Sequence, residues 1–129
     1  MAHATAPPSA LILFAHGARD PEWALPFRKI QRTLKAKQPG ATVELAFLEF
    51  MPPQLVEAVA KLAAAGHKRI VVAPLFMAQG GHLKHDLARI LDAMRTDHPG
   101  TAIELLPAIG DVDAIIGAIS DWLAGEITR

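Results

Sequence analysis

Cysteine is absent from the 129-residue chain, which removes disulfides, iron–sulfur clusters and thiolate zinc sites at once. Any metal must be held by imidazole, carboxylate or thioether, and six histidines keep that chemistry open. Net charge is missing too. Lys+Arg and Asp+Glu number 13 each, so the whole-molecule field on which non-specific nucleic-acid binding depends is lacking, and no nucleic-acid partner is expected. Long apolar runs are scarce near the start. The Leu11 to Ala15 run is five residues long, and the MAHATAPPSA before it has no basic stretch. That is too short for a signal-peptide core or a membrane span, so a cytoplasmic protein with no membrane partner is expected.

What is present is enough for a core. Hydrophobic residues make up 51% and charged residues 20%, a balance that excludes disorder and fits one globular domain. Area scaling for 13.8 kDa predicts a folded surface of roughly 6,600 Å². Residues 1–9, rich in Ala and Pro, read as a flexible N-terminal arm, and residues 10–129 as a single α/β domain.

Four short runs rich in Leu and β-branched residues read as buried strands: Ala10 to Ala15, Thr42 to Leu48, Arg69 to Leu75 and Thr101 to Leu106. Between and after them, apolar residues recur at helical spacing. The stripes are Trp23, Phe27, Ile30, Leu34; Leu55, Val59, Leu62, Ala63; Leu83, Leu87, Ile90, Leu91, Met94; and Val112, Ile115, Ile116, Ile119, Leu123. Trp23 and Trp122 fall in such stripes and read as core or subunit contact. Asp20-Pro21, Pro52-Pro53 and Asp111 are placed as helix starts and Gly66 as a helix stop. Pro26 requires the first helix to begin near it or to bend there.

Alternation of strand and helix at these lengths predicts a parallel sheet with helices on both faces. An internal echo sharpens the topology: Gln38-Pro39-Gly40-Ala41-Thr42-Val43-Glu44-Leu45 is answered sixty residues later by His98-Pro99-Gly100-Thr101-Ala102-Ile103-Glu104-Leu105. The second and fourth strands are therefore equivalent, and two strand-helix-strand-helix halves joined at their first strands give the order 2-1-3-4. Winding reverses between the first and third strands. Ligands of open α/β sheets bind beyond the carboxyl ends of strands at such a switch point.

The loops there carry Ala15-His16-Gly17-Ala18-Arg19-Asp20 and Phe76 to Asp86, the second containing Gly80-Gly81-His82. The second strand contributes Glu49 at its own end. His16, Glu49 and His82, 33 residues apart in each step, suit an open site for divalent cobalt, nickel, iron or zinc. Either histidine taken alone is as well explained by a turn or a backbone hydrogen bond. His85 reads as a solvated helix residue, His98 as turn structure, His67 as a helix C-terminal partner, His3 as part of the arm, and Met77 as a pocket wall.

Three blocks in order carry a resemblance: L-I-L-F-A-H-G-A-R-D-P-E-W, then F-L-E-F-x-P-P-x-L-x-E-A, then V-V-A-P-L-F-M-A-x-G-G-H-L-K-x-D. The chain from about Leu11 onward resembles the short CbiX-type sirohydrochlorin cobaltochelatases, relatives of SirB and the class II chelatases. The resemblance implies a Rossmann-like lobe that inserts a divalent metal, cobalt(II) first and nickel(II) or iron(II) as further candidates, into a tetrapyrrole. It places the family's His-Glu-His set on His16, Glu49 and His82, as metal ligands and proton acceptors. No organic cofactor is expected; the metal is a substrate. Two departures stand out: Ala18 where the family often has Ser, and Asp86-Leu87-Ala88 where Asp-Ile-Pro is common.

The macrocycle is a flat disc rimmed by carboxylates, for which Arg19, Lys84 and the Gly80-Gly81 backbone at a helix N-terminus are candidate contacts. Ordinary exposed charge explains Arg19 and Lys84 equally well. A histidine phosphatase is disfavoured because Ala15 stands where its Arg-His-Gly motif requires arginine. A non-enzymatic cobalt or nickel carrier would use the same three residues. Longer class II relatives hold the macrocycle between two lobes and this chain has one, so a homodimer is expected, the second copy covering apolar area worth about 25 cal/mol per Å².

Overall fold

The computed structural model describes residues 9–129 and contains the strands β1 (Ser9–Ala15), β2 (Thr42–Phe47), β3 (Arg69–Pro74) and β4 (Ala102–Leu105). The helices are α1 (Leu25–Lys37), α2 (Leu55–Ala64), α3 (Gly81–Asp97) and α4 (Asp113–Ile127), with 3-10 turns at Pro21–Ala24 and Ile109–Asp111. All strand pairings are parallel, in the order β2-β1-β3-β4. The topology is the expected one. Ser9 already belongs to β1, which corrects the expected arm boundary by one residue. The rest of that arm, with His3, lies outside the described residues. Among the described residues, no helix is long and apolar enough to cross a membrane.

Strand alternation sends side chains to two faces with separate cores. On one, Ile12, Phe14, Ile70, Val72 and Ile103 pack with Leu55, Val59 and Leu62 of α2 and Leu87, Leu91 and Met94 of α3. On the other, Leu13, Ala15, Val43, Leu45 and Phe47 pack with Trp23, Phe27 and Leu34. Right-handed crossovers dictate this split, because β1→β2 runs one way along the sheet and β2→β3→β4 runs the other.

Local chemistry sets the helix ends. Asp20 accepts the Glu22 N–H at 2.9 Å, and Pro26 lies in the first turn of α1, where a missing N–H costs nothing. That resolves the conflict Pro26 posed. After Pro52-Pro53, Gln54 and Glu57 form a capping box at the start of α2. Gly66, at φ +96, stops α2 as expected. The backbone N–H of His67 bonds the Leu62 carbonyl at 3.2 Å, whereas its Nδ1 is buried without a hydrogen-bond partner. Its imidazole is therefore not the C-terminal partner expected. Asp111 falls in the 3-10 turn, and α4 starts two residues later.

The last helix departs from expectation. None of its residues is buried, and Trp122 is 66% exposed, so it is no part of this chain's core.

Candidate functional site

Parallel strands all end at the same edge, and hydrogen bonds continue past that edge here. Leu48 donates its N–H to the Ala15 carbonyl at 2.9 Å, Glu49 to the His16 carbonyl at 3.0 Å, and Leu75 to the Phe14 carbonyl at 2.8 Å. The residues leaving β1, β2 and β3 are thus held side by side. Gly17 makes this possible: it sits at φ +87, and a Cβ there would collide with the Glu49 carbonyl oxygen. The tight His16-Gly17 turn lets the β2 loop lie directly against the β1 loop.

His16 is exposed and its imidazole leans on the Phe76 ring, centroids 4.5 Å apart and tilted 51°. Phe76 is fixed in turn by an edge contact with Phe14 at 5.6 Å. A buried aromatic pair therefore orients the histidine while leaving its outer side open to solvent. Glu49, also exposed, stands on the neighbouring loop, tied to His16 through backbone.

His82 opens α3, its side chain 94% exposed and its Nε2 3.3 Å from an Asp86 carboxylate oxygen one turn on. Asp86 also pairs with Arg89 at 3.1 Å. The structure thus brings the His16 and Glu49 backbones together and sets His82 in the first turn of α3, turned along its own helix. Among the described residues no three His, Asp or Glu side chains close into a metal cluster. His85 is exposed, as expected.

Around these groups lies an apolar rim. Phe50 is 56% exposed and Met77 55%. Phe50 holds φ +70, a left-handed conformation that a bulky residue adopts only under constraint from its surroundings. The Arg19 guanidinium lies 5.1 Å from its ring centroid, within cation–π range. Sequence reasoning missed Phe50. Its signal was positional, an aromatic directly after Glu49 and just before the Pro52-Pro53 turn.

The α3 N-terminus carries no side-chain cap and no acidic residue in its first turn, so the N–H groups of Gly81, His82 and Leu83, ahead of the first intrahelical bond from Lys84 to the Gly80 carbonyl, are available to an anion. Lys84 lines a cleft of about 350 Å³ with Gln79, Leu105, Leu106 and Pro107. The Gln79 Nε2 is buried without a hydrogen-bond partner, a donor free for a ligand oxygen. Arg19 and Gly80 thus lie on the loops leaving β1 and β3, and Gly81 and Lys84 in the first turn of α3, beyond the carboxyl ends of the strands that His16 and Glu49 also follow.

Comparison with known proteins gives consistent results. Residues 10–125 match the CbiX family model. A sirohydrochlorin cobaltochelatase from Saccharolobus islandicus is 37% identical over 102 residues, 76% of this chain and 78% of that one. Another, from Methanococcus maripaludis, is 32% identical over 91 residues, 70% of this chain and 63% of that one, so the match takes in less than two thirds of its length. Among solved structures, the CbiX protein from Marinobacter aquaeolei VT8 superposes with a TM-score of 0.80 at 30% identity, covering 95% of this chain and 99% of that chain. SirB from Bacillus subtilis subspecies spizizenii, in complex with cobalt, has a TM-score of 0.75 at 21% identity and covers 92% of this chain and 50% of that one. The latter likeness bears on fold alone.

Proposed function

The chain belongs to the CbiX family, and on that premise we propose that it is a sirohydrochlorin chelatase, inserting a divalent metal ion into the macrocycle in cobalamin or sirohaem biosynthesis. One observation carries the reading most directly. An exposed imidazole and an exposed carboxylate, His16 and Glu49, leave the adjacent strands β1 and β2, next to the β1–β3 switch point and beside an apolar rim of Phe50 and Met77. The relatives' names supply the substrate, cobalt(II) first.

Insertion exchanges one divalent ion for the two pyrrole N–H protons, so the protein must present the ion loosely and accept protons. Two neutral imidazoles and one carboxylate leave positions free for water or pyrrole nitrogen. We assign His16 and His82 as metal ligands and Glu49 as ligand or proton acceptor. A single lone pair cannot do both at once, so a residue that has bound the ion accepts a proton only after releasing it. To join His16 and Glu49 on an ion, His82 would leave its Asp86 partner, 3.3 Å away along α3, and turn toward the cleft.

The macrocycle's apolar face would lie on Phe50 and Met77. Its carboxylates would meet Arg19, Lys84 and the N–H groups at Gly80-Gly81. A second copy of the chain would cover the other face, making the working unit a homodimer. Nickel(II) and iron(II) are further candidate substrates, since nitrogen and oxygen ligands alone select weakly among these ions.

The test is optical. Adding cobalt(II) to sirohydrochlorin with the protein should shift the tetrapyrrole absorption faster than in the protein-free control. His16→Ala and His82→Ala should each slow that shift about a hundredfold with an unchanged circular dichroism spectrum, and His85→Ala should be mild. Cobalt binding without any rate enhancement would point to a carrier and overturn the enzymatic reading.

A further inference from the structure

Among the described residues, Phe50 alone of the non-glycine residues has a positive φ, at +70. Glycine or asparagine would adopt that conformation at less cost than an aromatic residue. Its neighbours explain why the chain does not relax. On one side the Glu49 N–H bonds the His16 carbonyl at 3.0 Å, and on the other Met51 packs into the cluster that Phe27 and Leu34 of α1 cover. The Phe47 N–H on the Pro53 carbonyl, at 2.9 Å, closes the loop behind them. With both flanks fastened, the left-handed turn sends the Phe50 ring outward, where it is 56% exposed.

Packing does not account for an exposed ring in a strained place. Its contact with Arg19 does. The guanidinium lies 5.1 Å from the ring centroid, within cation–π distance. Among the described residues Arg19 makes no salt bridge, although Asp20 follows it in the chain and Glu49 precedes Phe50. Asp20 is committed to the Glu22 N–H at 2.9 Å. A guanidinium resting on a ring face keeps its planar fork of N–H donors open at the edge. Arg19 is thus a seated cation with donors to offer, on the loop that also carries His16.

We propose that Phe50 is a positioning residue whose ring seats Arg19 to receive a carboxylate on the rim of the macrocycle, making the site selective for an acidic tetrapyrrole. A mobile surface arginine loses side-chain entropy when it grips a carboxylate, and one already held against a ring loses less. The bidentate fork also requires the carboxylate to arrive in the guanidinium plane, so the seat sets how the disc lies relative to His16 and Glu49. The strained φ is what aims the ring, and strain of this kind persists where the surroundings over-determine it.

This rests on the reading above in that the site receives a tetrapyrrole, but it needs no metal insertion. The test is therefore metal-free binding of sirohydrochlorin, followed by its absorption, together with thermal melts. Arg19→Gln should weaken binding about tenfold in the wild type and less than about threefold in a Phe50→Leu background, which keeps apolar bulk and removes the ring. With Phe50→Tyr the full Arg19→Gln loss should return. Phe50→Asn should bind as weakly as Phe50→Leu yet melt no lower than the wild type, because asparagine accepts the positive φ. An equal Arg19→Gln loss with and without the ring would show that Phe50 does not seat the arginine, and a lowered melting temperature for Phe50→Asn would show that packing holds Phe50 in place; either overturns the proposal. A wild-type chain that binds no sirohydrochlorin overturns both this inference and the chelatase reading. Binding that follows the expected pattern without any enhancement of cobalt insertion overturns only the latter.

Discussion

The turns into β2 and β4 are built alike. Gln38 donates its N–H to Leu34 and His98 to Met94, both at 2.9 Å, and Ala41 and Thr101 then close the turn onto Gln38 and His98 at 2.8 and 3.0 Å. The helices beyond the two strands are not alike. The one after β2 buries Leu55, Ala58, Val59 and Leu62, and the one after β4 buries nothing. Local sequence repeats reproduce local geometry, because turn hydrogen bonds are short-range. Whether the next helix finds a place depends on what lies beside it. From β2 the chain crosses over to β3 on the face shared with α3; from β4 the chain enters no further strand and leaves over the Met77 backbone.

The largest expected effects fall where backbone meets backbone at the strand ends, in both halves. Gly17→Ala and Gly110→Ala should each destabilise the domain by more than about 3 kcal/mol or prevent folding, since the added methyl meets a carbonyl oxygen that cannot move aside. Urea denaturation would show this. A near-normal midpoint for Gly110→Ala would mean that the departure of α4 is not set by that contact.

Next come the two helices themselves. Leu62→Ala, in the buried face of α2, should cost about 2–4 kcal/mol at any protein concentration. Leu123→Ala, on a helix that buries none of its residues, should cost under about 0.5 kcal/mol. Parallel thermal melts separate the two, and equal losses would erase the contrast.

A smaller effect is expected at the rim. Phe50→Ala should raise KM for the tetrapyrrole about tenfold with kcat changed much less, as loss of uniform binding does. Steady-state kinetics at saturating cobalt would reveal a role in the chemical step if kcat fell instead. Smallest of all, Gly125→Ala, with open space where its Cβ would go, should stabilise α4 by up to about 0.8 kcal/mol, measurable as a slight rise in Tm.

Much of the site was legible before the fold was known. The strand runs, the reversal implied by the echo and the placing of His16 and Glu49 just past their strands follow from short-range pattern and connectivity, whereas His82 lies in the first turn of α3. Phe50 was not, because its exposure depends on a positive φ that a non-glycine residue does not announce. Nor was the orientation of His82, which depends on a competing carboxylate one helical turn away.

By itself the sequence determined the four parallel strands, their order and the edge that carries the chemistry, because apolar periodicity, glycine placement and crossover handedness act locally and leave few arrangements. Only the tertiary structure decided how the edge is organised: Gly17 lets two loops touch, Phe76 orients His16, and Gly110 sends α4 away from its own sheet. Those outcomes depend on which backbones come within contact distance after the sheet has formed, and an amphipathic helix has the same pattern whether it lies on its own chain or on another.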